Sequence, residues 1–179
     1  HCGIRKNKTK RDLALIFSEV ECSAAAVYTK NLVKGAPLTV TKANIADGHA
    51  RAVICNSGNA NTCNANGIEV AEETCAAIAE ALSIAPTDVV IGSTGVIGQP
   101  LDITPIKEGI DELVKGLGDH SDLAAEAIMT TDTKKKEIAL EFTVGGKVCR
   151  MGGIAKGSGM IHPNMATMQA GYAANIISS

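Results

Sequence analysis

Apolar and polar positions along this chain alternate between two periods, and the switches between them outline a mixed α/β fold. Asp12-Leu13-Ala14-Leu15-Ile16-Phe17-Ser18 is a short apolar run with a charged entry, which predicts a strand. Arg51-Ala52-Val53-Ile54-Cys55 predicts a second strand, stopped by Asn56-Ser57-Gly58-Asn59-Ala60-Asn61. That stop is rich in residues that tolerate positive φ and bond their own backbone, so a structured loop is expected. From Ile68 to Leu82 the period becomes 3.6. Val70, Cys75, Ile78 and Leu82 recur on one side, with Glu69, Glu72, Glu73 and Glu80 largely elsewhere. Asp88-Val89-Val90-Ile91-Gly92 predicts a third buried strand running into a glycine-rich turn. A second amphipathic helix is expected over Ile103 to Leu117, with Ile106, Ile110, Leu113 and Leu117 inward. Pro105 fits near its start, where the first turn lacks intrahelical N–H partners. Asp122 to Met129 predicts a short helix. Glu137–Val144 and Lys147–Met151 predict a hairpin closed by Gly145-Gly146. Ala24-Ala25-Ala26-Val27-Tyr28 fits either a strand or a helical turn. One compact α/β unit is the simplest assembly of these pieces.

Composition narrows the class. The chain has 179 residues, 45% of them apolar but only 2% aromatic, with no Trp. The core must therefore be built from Ala, Val, Ile and Leu. A net charge of −2 supplies no broad basic field for nucleic acid or anionic lipid. Lys and Arg gather in Arg5-Lys6-Asn7-Lys8-Thr9-Lys10-Arg11, which reads as a solvated turn between strands. No apolar run is long enough to span a membrane and none reads as a secretory leader, so a cytoplasmic protein is expected. The cysteines (Cys2, Cys22, Cys55, Cys63, Cys75 and Cys149) form no C-x-x-C pair and match no zinc template. Reduced, mostly buried thiols are expected, with no bound metal.

Three segments carry candidate chemistry. The most informative is Lys156-Gly157-Ser158-Gly159-Met160-Ile161-His162-Pro163-Asn164-Met165-Ala166-Thr167-Met168. A threonine hydroxyl is a poor nucleophile until a base takes its proton. Cleaving the peptide bond ahead of it frees an α-amine with a pKa of ~7.7–8.0, which can serve as that base. Gly92-Ser93-Thr94-Gly95-Val96-Ile97-Gly98 has two functional readings. It can be a dinucleotide-binding turn, but that fingerprint needs a helix starting within the turn. It can also be an oxyanion hole, with a glycine N–H and a threonine hydroxyl as donors. Ala127-Ile128-Met129-Thr130-Thr131-Asp132-Thr133 reads by itself as a helix C-terminal turn. His49, His120 and His162 form no recognisable triad, and Cys63 and Cys75 are weak nucleophile candidates.

Together these segments resemble the bifunctional ornithine acetyltransferase (glutamate N-acetyltransferase, ArgJ-type) family, from about His1-Cys2-Gly3-Ile4 through Met168. The resemblance implies an ArgJ/DmpA-like sandwich of mixed sheets and helices. It implies acetyl transfer from N2-acetylornithine to glutamate in arginine biosynthesis, with cleavage between Ala166 and Thr167. On that basis Thr167 is the nucleophile, Thr94 and Gly95 form the oxyanion hole, and Thr130, Lys156 and Thr167 contact substrate. Asn56–Asn61 also looks like the family, as a rigid loop. No cofactor is implied, although acetyl-CoA is a conceivable acetyl donor. The implied partner is the β chain of the same precursor in an α2β2 heterotetramer. Residues 1–166 correspond to the α chain and 167–179 to the start of the β chain. The family carries a further N-terminal segment and a longer second chain, and Gln169-Ala170-Gly171-Tyr172 departs from its apolar continuation. A non-catalytic fragment or paralogue that needs a partner chain is the alternative. A nucleotide-binding oxidoreductase based on Gly92–Gly98 is the weaker one. A truncated copy is expected to expose apolar surface meant for its second chain.

Overall fold

A computed structural model describes residues 1–157 and the backbone of residues 172–176. Two three-stranded sheets organise the chain. The first contains β1 (Leu13–Ser23), β2 (His49–Asn59) and β3 (Val89–Val96), in that order. β1 and β2 are antiparallel, whereas β2 and β3 are parallel. A parallel pair needs a crossover, and α2 (Gly67–Leu82) supplies it. Val70, Ala71, Thr74, Cys75, Ile78 and Ala79 are the buried stripe of α2, and Ser83 ends the helix in the left-handed region at φ 55°.

Along each strand of the first sheet, alternate residues serve different layers. Leu13 and Leu15, Ala52 and Ile54, and Val89 and Ile91 pack under α1 (Ala36–Asn44), α2 and α3 (Thr104–Lys115). Ala14 and Cys55 face the other way, against Ala125, Ala127 and Ile128 of α4 (Ser121–Ala127) and its exit. Ile154 joins that second cluster from β5 (Lys147–Ala155). β5 sits between β4 (Lys136–Val144) and β6 (Tyr172–Ile176) in the second, wholly antiparallel sheet.

Several expectations need correction. The helix α1 was not anticipated, because Thr39, Val40 and Thr41 are β-branched and favour strands. Tertiary contacts override that preference. The Thr41 hydroxyl donates to the Ile91 carbonyl (2.9 Å) and accepts from the Ile91 N–H (3.0 Å), while the Asn44 amide donates to the Val89 carbonyl (2.8 Å). α1 thus covers the open edge of β3, which would otherwise present unpaired backbone groups. Asn56–Asn59 and Gly92–Val96 are strand, not loop and turn, because the parallel ladder continues through both glycine-bearing ends. The basic segment precedes the first strand instead of joining two strands. Lys6, Lys8, Lys10 and Arg11 are exposed as expected, but Arg5 is half-buried. Ala24–Tyr28 is neither strand nor helix. Among the cysteines only Cys55 and Cys75 are buried, and Cys63 is exposed.

The β4 strand is exposed from end to end. Ile138, Leu140, Phe142 and Val144 alternate onto one face of it and are between 40% and 59% exposed. No helix of the described residues is long and apolar enough to cross a membrane.

Candidate active site

Parallel strands concentrate ligand sites at their carboxyl ends, and here those ends carry Gly58 and Thr94-Gly95. Ser57 pairs with Thr94 and Gly58 with Gly95. The two backbones approach so closely that a Cβ on Gly95 would lie 2.3 Å from the Gly58 carbonyl carbon. Gly95 also sits at φ +135° and Gly58 at φ +117°, so both positions need glycine. Thr94 is half-buried and Gly95 exposed, which puts a hydroxyl and a backbone amide beside each other at an open strand end.

Buried asparagines hold this end in place. Asn59 donates its amide to the Gln99 and Pro100 carbonyls (3.0 and 3.2 Å) and accepts the Asn61 N–H (2.8 Å). Asn56 donates to the Asn59 carbonyl, and Asn61 to the Gly67 carbonyl at the start of α2 (2.9 and 2.8 Å). The segment expected only to be rigid is therefore a clamp between the tips of β2 and β3 and the helix that joins them. The nucleotide reading fits poorly, because no helix begins in the Gly92–Gly98 segment; α3 starts at Thr104.

The other candidate residues lie on the segments that follow α4 and β5. Ser57 shares with Thr94 the sheet face turned toward α4, and its hydroxyl donates to the Ala127 carbonyl. Just beyond Ala127, Thr130 is half-buried, and its N–H donates to Asp132 Oδ1 (3.0 Å). The other oxygen of Asp132 accepts the Gly157 N–H (2.9 Å) and the Lys136 ammonium (3.1 Å). Burial alone would raise the Asp132 pKa. The Gly157 and Thr130 N–H groups and Lys136 reverse this and hold it below the usual carboxylate range. Asp132 thereby fastens the Thr130 turn to the chain beside Lys156.

Lys156 is half-buried, with Nζ donating to the Gly157 carbonyl (2.7 Å). Burial lowers its pKa, the Asp132 charge opposes that, and Lys136 and Arg5 add to it. Arg5 therefore belongs to the same electrostatic neighbourhood, although its position in a basic run suggested a solvated charge. The cause lies in Asp12, which is fully buried and accepts the N–H groups of Cys2, Gly3 and Arg5 (2.7, 3.1 and 3.1 Å). Residues 1–5 wrap around that carboxylate and bring Arg5 inward.

Hydrogen bonds thus tie the Ser57–Thr94 strand pair to Ala127, and the Thr130 turn to Gly157 next to Lys156. Ala166, Thr167 and His162 lie outside the described residues. Sequence reasoning missed Arg5, Asp12, Ser57 and Asp132 as parts of the site. Asp132 left a signal by following the threonines singled out at Thr130, and Ser57 by lying in the Asn56–Asn61 segment. Burial pushes the Cys2 thiol up to about 11 and Cys75 up to about 12, which fits their being poor nucleophiles. An open cavity of about 680 Å³ at the start of α2, lined by Leu32, Asn61, Cys63, Asn64 and Glu72 among others, borders none of Thr94, Gly95, Thr130 and Lys156.

Comparison with known proteins identifies the architecture. The family model described as the ArgJ family matches residues 1–176. The chain belongs to the ArgJ family. It is 48% identical over 161 residues to the arginine biosynthesis bifunctional protein ArgJ of Symbiobacterium thermophilum, covering 89% of this chain and 40% of that protein. Among solved structures, the arginine biosynthesis bifunctional protein ArgJ of Bacillus halodurans has a TM-score of 0.82 at 43% identity, over 93% of this chain and 87% of that one. The ornithine acetyltransferase of Mycobacterium tuberculosis, solved in complex with ornithine, has a TM-score of 0.75 at 35% identity, over 90% of this chain and 87% of that one. The mixed α/β architecture expected from the sequence is therefore an ArgJ-family fold. The chain spans about 40% of the length of the curated relatives it matches.

Proposed function

We propose that this chain is the α-chain portion of an enzyme that moves an acetyl group from N2-acetylornithine to glutamate. The observation that carries the reading is the hydrogen bond that ties the Ser57–Thr94 strand pair to Ala127, three residues before the Thr130 turn that Asp132 fastens to Gly157 beside Lys156. Cleavage at Ala166–Thr167 gives Thr167 a free α-amine. That amine takes the hydroxyl proton as Oγ attacks the acetyl carbonyl. The Thr94 hydroxyl and Gly95 N–H hold the tetrahedral oxyanion, a role in which loss of one donor costs about 10²–10³ in kcat. Collapse breaks the bond to ornithine's α-nitrogen, which leaves with the proton, and the acetyl group stays on Thr167. Glutamate's amine then attacks the ester and regenerates the hydroxyl. Thr130 and Lys156 orient both substrates. The chemistry needs no metal or cofactor, and acetyl-CoA is a second conceivable acetyl donor.

The name of the Symbiobacterium relative, and the ornithine complex of the mycobacterial one, support the substrate class. The exposed apolar face of β4 supports the need for a β chain, within an α2β2 assembly. It also favours the alternative, a portion that does nothing without its partner. Mass spectrometry of the complete protein tests the reading. Two fragments divided at Ala166–Thr167, and a 42 Da acetyl adduct on Thr167 after incubation with acetylornithine, are expected (about the mass of C2H2O). An uncleaved, unmodified chain refutes it.

A further inference from the structure

The Arg5 side chain passes Gly58 and carries a buried guanidinium nitrogen with no acceptor among the described residues. The Arg5 backbone is fixed by its N–H bond to Asp12, and its side chain runs across Gly58, where a Cβ would meet Arg5 Cγ at 3.0 Å. Gly58 pairs with Gly95, so the Arg5 stem lies one strand away from the proposed oxyanion donors. Nη2 of Arg5 has no hydrogen-bond partner among the described residues. A buried donor left in this way is costly, and native structures rarely keep one unless something fills it.

The nearby carboxylates do not fill it. Asp12 and Asp132 both favour the Arg5 charge, but their ion pairs run to His1 and Lys136. Their oxygens also receive the N–H groups of Cys2, Gly3, Thr130 and Gly157. Both carboxylates are therefore already engaged by other donors. A ligand carboxylate supplies the missing acceptor, and the planar guanidinium fork suits that group.

We infer that Arg5 is a substrate-binding residue that, with Lys156, anchors the α-carboxylate common to acetylornithine and glutamate. The inference rests on the acetyl-transfer reading above and adds a residue to it. The α-carboxylate is the chosen partner because it adjoins the nitrogen that gives up or receives the acetyl group in both half-reactions. A single site serving both substrates must hold what they share.

The test uses the complete protein, with Arg5→Gln and with Arg5→Met, which keeps the stem over Gly58 if the first variant folds poorly. Each is assayed with acetylornithine, with glutamate and with N-acetylputrescine, which carries the same acetylated amine but no carboxylate. The KM for both carboxylate substrates is expected to rise about 10- to 100-fold, with kcat within about threefold of the parent. The kcat/KM for N-acetylputrescine should stay at the parent value. An unchanged KM for acetylornithine, or an equal loss on N-acetylputrescine, overturns the inference alone. A parent protein that transfers no acetyl group from acetylornithine overturns the acetyl-transfer reading, and this inference with it.

Discussion

The two sheets of this chain differ in how completely they are covered, and that difference separates the part that builds the candidate site from the part that is left exposed. The first sheet is packed on both faces, by α1, α2 and α3 on one side and by α4 with Ile154 on the other. Even its open β3 edge is closed by Thr41 and Asn44. It can therefore hold a glycine-to-glycine backbone approach at Gly58 and Gly95 rigidly. In the second sheet β4 is exposed along its whole length, and its alternating Ile138, Leu140, Phe142 and Val144 face no described residue that buries them. Alternation of this kind normally marks one buried face.

The contrast can be broken most sharply at Gly95. Gly95→Ala places a methyl group 2.3 Å from the Gly58 carbonyl carbon at φ +135°. It is expected to cost about 4 kcal/mol or more and to abolish acetyl transfer. Urea unfolding of the complete protein measures the first effect and a turnover assay the second. A Gly95→Ala protein with parental stability would show that the strand ends are not rigid.

Asp12→Asn comes next. An amide cannot serve three N–H donors as the carboxylate does, and the loss should be about 3 kcal/mol near neutral pH. The N–H groups of Cys2, Arg5 and Gly3 outweigh burial and hold the Asp12 pKa below its ordinary value. Its stabilisation is therefore complete above the unfolded-state pKa of about 4 and fades as pH falls through the lower folded value. The gap between the parent and Asp12→Asn should accordingly narrow below about pH 4. A gap that widens on acidification would contradict this.

The smallest effect on stability belongs to the second region. Leu140→Lys and Phe142→Lys, on an exposed face, should each change the chain's own stability by less than about 0.5 kcal/mol. On the proposed reading they should nevertheless prevent it from co-purifying with a separately expressed β chain of an ArgJ relative. Melting-point losses as large as that of Gly95→Ala would mean that this face is already covered.

Periodicity alone determined the strands near Leu13, Ile54 and Ile91 and the helices α2, α3 and α4, because each buries a stripe that its own spacing encodes. Thr94-Gly95 and Thr130 were recognisable as candidates through the resemblance to the family, since alone the Thr130 segment reads as a helix C-terminal turn. Tertiary structure decided what spacing cannot express. It made a helix of the β-branched Thr39-Val40-Thr41 by giving Thr41 and Asn44 a strand edge to close. It carried strands through Asn56–Asn59 and Gly92–Val96, where isolated segments would turn, because a parallel neighbour satisfies each backbone. It drew Arg5 out of a basic run, since a buried carboxylate at Asp12 needs the N–H groups of residues on the far side of that run. Local sequence sets what a segment can become, and long-range hydrogen bonding and burial decide which of those outcomes carries the lower free energy.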